Sequence, residues 1–242
     1  MQSLTNMSFK TIVKKQVKWK AKLYCSALSS LIILQVIFGA LLFSSGSVSN
    51  GFGRGNLNVQ VSIYSLDMFL IISAFWAFIT AFIFTTKAYR MDDLSIISSR
   101  TSSAIANILV LILYSFFAVL IMLASYYIQI LGLSLIEKDS LIIDKIIISP
   151  SIFIVCLCSI CLFSAIGLLF GYCFQGPSII KISAIVLLVI VIISPIIFPK
   201  FVNLQPFIQL PDLALSGFYV IITILCFTLC IWIADKSEVS RK

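Results

Sequence analysis

Catalysis by a side-chain base or a bound metal needs particular residue types, and this sequence lacks the commonest of them. It contains no histidine, which excludes Ser-His and Cys-His nucleophilic pairs and histidine-ligated metal sites. No buried acid pair and no nucleophile with a base at helical spacing stands out, so no catalytic or metal-binding residue is assigned and the chain reads as a non-enzyme. Cys158 and Cys161 form a CxxC, but no second pair completes a metal site. All seven cysteines fall within or at the ends of apolar runs, as buried thiols do. Residues 51–55, GFGRG, resemble a phosphate-binding turn only superficially, because they neither follow a strand nor open a soluble helix. With the rest of Ser44–Gln60 they read as a flexible linker. There is no GxxxxGK[ST] sequence, so the chain cannot build the usual nucleotide phosphate cradle. What remains is the stretch Thr85–Ser103, TTKAYRMDDLSIISSRTSS, the longest polar break between two long apolar runs. Its Lys87, Arg90 and Arg100 suit a cytoplasmic loop. Asp92 and Asp93 are not explained by topology, and charges of both signs on a short helix can grip a soluble partner.

The elements that must position this stretch are membrane elements. The chain is 61% hydrophobic and 11% charged, with a mean hydropathy of +1.15, whereas a soluble domain carries about 25% charged residues. A hydrocarbon core of about 30 Å needs ~20 helical residues. Six such runs are predicted: Leu23–Phe43, Ser62–Phe84, Ala104–Ile130, Ser151–Tyr172, Ile182–Phe198 and Leu213–Ile233. The predicted fold is therefore all-α and polytopic, with a cytoplasmic loop at 85–103 and a tail at 234–242. Residues 1–22 form an N-terminal segment that lacks a cleavable signal. Within it, Phe9, Ile12, Val13, Gln16, Val17 and Trp19 share one helical face, and Lys10, Lys14, Lys15, Lys18 and Lys22 share the other. Only Lys20 falls on the apolar side. This predicts a helix lying in the headgroup layer with Trp19 at the interface.

With the N-terminus inside, thirteen of the 17 Lys and Arg residues collect on the cytoplasmic face, and an even span count returns the C-terminus there. The net charge of +8 is thus assigned to anionic membrane lipids rather than nucleic acid. No charged residue lies mid-span; Asp67 comes closest, near the outer end of the second span. Gln35 and Asn107 are the notable uncharged polar groups, read as interhelical hydrogen bonds or as positions on a translocation path. Gly167 and Gly171 form a small-xxx-small pair that would let a neighbouring helix approach closely. Pro195, Pro199, Pro206 and Pro211 break an apolar stretch, predicting a re-entrant extracellular segment at 195–212.

This order of elements resembles the permease subunits of the type-2 ABC exporter family, also called the type V ABC transporter fold. The basic helix at Phe9–Lys22 resembles that family's elbow helix. TTKAYRMDDLSIISSR resembles its coupling helix between spans two and three. GLLFGYCFQGPSIIKISAI looks like its inner turn between spans four and five, and Pro195–Asp212 looks like its re-entrant helices before span six. The resemblance is one of architecture and covers nearly the whole chain. It implies two permease chains, identical or different, packed into one unit with two cytoplasmic ABC ATPase subunits that bind the ATP and Mg; this chain itself carries no cofactor. Lys87, Arg90, Asp92, Asp93 and Arg100 would then contact the ATPase. The implied cargo is amphipathic, an antimicrobial or toxin peptide or a lipid-linked molecule, exported across the plasma membrane by a multi-pass protein. The alternative is a membrane binding or immunity protein that does not transport, or a substrate-capture component.

Overall fold

The computed structural model describes residues 9–44, 48–54, 57–63, 66–86, 99–136, 149–175, 181–182, 185–186 and 211–239. Its elements are α1 (Phe9–Leu23), α2 (Ser26–Ser44), β1 (Val48–Arg54), β2 (Leu57–Ile63), α3 (Asp67–Phe84), α4 (Arg100–Ile136), α5 (Pro150–Gln175) and α6 (Asp212–Val239). Among the described residues, four helices are long and apolar enough to cross a membrane: α3, residues 100–132 of α4, residues 150–174 of α5 and residues 212–236 of α6. The pair α1 and α2, bent by 42° at Tyr24–Cys25, raises the number to five if counted as one span. This is the architecture of a membrane-embedded protein. Exposed Ile, Leu, Val and Phe side chains cover the outer surfaces of α2, α4 and α6, which water would not tolerate on this scale.

Among the described residues, one strand pair interrupts the expected all-helical design. Ser44–Gln60, read above as a flexible linker, contributes to an antiparallel hairpin in which Val48 pairs with Ile63 and Arg54 with Leu57. The physical cause is visible in β2. Leu57, Val59, Val61 and Ile63 alternate with Asn58, Gln60 and Ser62, the period-2 pattern of a strand. Ser62 and Ile63 are therefore in β2, and the helix expected from Ser62 begins instead at Asp67.

Local signals place the other helix starts. Ser99 caps α4 by accepting the Ser102 backbone N–H on its Oγ, at 3.2 Å, which satisfies one of the orphan donors of a helix N-terminus. Arg100–Ser103, expected in the loop, are thereby the first turn of α4. Pro150 opens α5 at the position where a missing N–H costs nothing. Asp67 and Asp212 put a carboxylate in the first turns of α3 and α6, where the helix dipole favours negative charge.

The ring contacts give helix directions. Phe78 meets Phe170 at 6.1 Å and Phe82 meets Phe174 at 5.7 Å, so α3 and α5 run parallel. Tyr24 meets Phe84, while Gln35 meets Ser73, so α2 runs opposite to α3. The Ser151 hydroxyl donates to Asp212 Oδ2 at 2.8 Å, and α5 and α6 pack extensively from that shared start. Without a hydrophobic driving force between helices in lipid, close van der Waals packing must hold such pairs. At α3–α5 it is extreme: a Cβ added at Gly167 would lie 2.9 Å from the Phe78 Cα, and one at Gly171 would strike the Thr85 side chain. The predicted fifth span and the re-entrant segment fall, apart from residues 182, 185–186 and 211–212, outside the described residues.

Candidate functional site

Where α1 crosses α4, polar groups are buried that an interfacial helix has no need to bury. Val13, Gln16 and Lys20 are its buried residues, spaced at three and four residues and hence on one face. Lys20 is only 1% exposed. Its ammonium donates to Asn107 Oδ1 at 2.5 Å and to Ser103 Oγ at 3.1 Å, both on α4. A buried cation is tolerated only when charge-assisted hydrogen bonds replace its water, and α4 supplies the two acceptors one turn apart. The Tyr114 hydroxyl adds a bond to the Ala21 carbonyl at 3.2 Å. Gln16, also 1% exposed, has neither amide oxygen nor amide nitrogen hydrogen-bonded among the described residues.

An aromatic chain extends this clasp to α3. Trp19 stands edge-on to Tyr24 at 6.4 Å, Tyr24 lies 5.0 Å from Phe84, and Phe84 lies 6.1 Å from Tyr114. Phe84 is the last residue of α3, and Arg100 the first of α4. The two described ends of the charged stretch are thus tied to α1 and to the bend that follows it. A displacement of that stretch has a direct mechanical route into α1, α3 and α4.

Of the residues singled out in the charged stretch, Lys87, Arg90, Asp92 and Asp93 lie outside the described residues, and Arg100 sits half-buried in the first turn of α4. Along α1, Phe9 is exposed, Ile12, Val17 and Trp19 are half-buried, and Lys14 and Lys18 are exposed. Gln35 and Asn107 make separate interhelical bonds. Gln35 Nε2 donates to Ser73 Oγ at 2.8 Å between α2 and α3, while Asn107 serves Lys20. Sequence reasoning gave Lys20 no role, although its isolation on the apolar side of α1 was the available signal. Ser103 and Tyr114 carried no such signal, because a serine at a helix start and a tyrosine in a span are ordinary.

A groove of about 680 Å³ opens between α2 and α3, lined by residues such as Ser30, Leu34, Phe38, Ile72, Phe75 and Trp76. The Trp76 indole N–H is shared by the Ala27 carbonyl at 3.1 Å and Ser30 Oγ at 3.0 Å, which fixes the groove at one end. No three metal-ligating side chains gather among the described residues. No family model, curated protein or solved structure matches the chain.

Proposed function

We propose that this chain is the membrane-spanning permease subunit of an ATP-driven exporter, a multi-pass protein of the plasma membrane with both termini in the cytoplasm. The observation that carries the reading is the clasp: α1 is bonded to α4 and stacked toward α3 at the two helix ends flanking the acid- and base-containing stretch. That is the arrangement needed if a cytoplasmic motor pushes on residues 85–103 and the push must reach the spans as a rigid-body movement. ATP and Mg belong to two ATPase subunits, since the sequence offers no phosphate cradle of its own. A second permease chain, identical or related, completes the assembly. The side-by-side start of α5 and α6 supports six spans, because one crossing between them would return the chain to that side. The cargo is amphipathic, a peptide or lipid-linked molecule, consistent with an apolar groove that carries only a few hydroxyls and one indole.

The α2–α3 groove also suits a protein that binds such a molecule without transporting it, or that captures it for another transporter. Purification of the chain from its native membrane in mild detergent separates these readings. A nucleotide-binding subunit in roughly equal amount, with vanadate-sensitive ATP hydrolysis lost in Asp92→Lys/Asp93→Lys, is the outcome expected of a permease. Recovery of this chain without an ATPase, under conditions that preserve other membrane complexes, would move the assignment to a stand-alone binder.

A further inference from the structure

On the outer side of the α1–α4 crossing lies a second trough, about 610 Å³ in volume. Phe9, Val13 and Val17 of α1 form one side, and Ile105, Leu109 and Leu113 of α4 form the other. Each set repeats every four residues, so both are helical stripes. Lys10, Lys14 and Lys18 border the same trough. They form a third stripe at the same period, about 6 Å per step at 1.5 Å per residue. All three lysines are exposed, and α1 contains no acid to neutralise them.

An apolar channel edged by a row of cations on an interfacial helix matches a molecule with a hydrocarbon chain and a negative head. We propose that this trough is a binding site for one anionic phospholipid, its acyl chain lying between α1 and α4 and its phosphate on Lys14 and Lys18. The charge complementarity selects an anionic lipid over a zwitterionic one, and the α4 wall selects a lipid over a free phosphate. The site stands independently of the exporter reading, because it needs only the α1–α4 crossing and a bilayer.

The test uses the full chain in nanodiscs of phosphatidylcholine doped with phosphatidylglycerol bearing a photoreactive group on its acyl chain. The same probe on phosphatidylcholine serves as the comparison. Cross-linking is expected on the peptide containing Ile105, Leu109 and Leu113, strongly favouring the anionic probe. Lys14→Gln/Lys18→Gln should lower it about thirtyfold, at ~1 kcal/mol per surface lysine and about 1.4 kcal/mol per factor of ten. Lys15→Gln/Lys22→Gln removes the same charge from exposed positions outside the trough and should leave it nearly unchanged. Leu109→Trp should occlude the chain and abolish labelling there while the lysines remain. Equal labelling by both probes, or equal loss in the two lysine pairs, would reduce the effect to general attraction and overturn the site. A photo-cross-linker at position 109 that captures a second copy of the chain would assign the trough to a dimer interface instead.

Discussion

Lys20 leaves water where α1 meets α4, and among the described residues the neutral oxygens of Asn107 and Ser103 receive its ammonium. This makes the two sides of the bond unequal in what their loss should do. Lys20→Met removes the charge and keeps the volume, leaving an unbonded amide at a cost of about 1–3 kcal/mol. Asn107→Leu takes one acceptor from a buried ammonium, and breaking a buried charged contact from one side costs about 3–5 kcal/mol. Thermal unfolding in detergent should therefore place Asn107→Leu below Lys20→Met, and the double variant above Asn107→Leu alone. The reverse order would mean that water reaches the ammonium. The sequence pointed to half of this interaction. The 100° periodicity put Lys20 on the wrong side of an otherwise clean amphipathic helix, but its acceptors are 83 and 87 residues away, beyond any local pattern.

Among elements, the α3–α5 pair is the least forgiving. The atoms above Gly167 are backbone atoms of Phe78, whereas those above Gly171 belong to the Thr85 side chain. Backbone cannot move aside without shifting the helix, and a side chain can be removed. Gly167→Ala should thus lower the melting temperature more than Gly171→Ala, and Thr85→Ala should recover part of the loss for Gly171→Ala and none for Gly167→Ala. The small-xxx-small spacing was readable in advance because it is a local feature of one helix. That α3 is the helix approaching it was not, since any of the apolar helices would have served. The hairpin shows the opposite failure. The alternation in Leu57–Ile63 was present in the sequence, but the glycines, serines and asparagines around β1 hid it behind the composition of a linker, and a strand is recognised by period before composition.

At the scale of the whole molecule, membrane character was legible from composition alone, because burying so many apolar side chains in a soluble core of 242 residues is impossible. Alternating helix directions were expected from the order of the spans, and the observed ones yield a sharp test. In the described structure α3, α5 and α6 share one direction and α2 opposes them. Reporters fused after Gln175 and within residues 199–208 should fall on opposite sides of the membrane, and a reporter after Val239 should share the side of the first. Two reporters on the same side at 175 and 199–208 would remove the fifth span and with it the six-span count. The clasp also bears on how the protein is made. Lys20 is synthesised 87 residues before Asn107, a delay of roughly 4–17 s at ribosomal speed. Throughout that interval α1 lacks the α4 oxygens that receive Lys20, and its ammonium must stay hydrated at the membrane surface. The N-terminal helix therefore seats late in biogenesis, only after α4 has entered the bilayer and presented its acceptors.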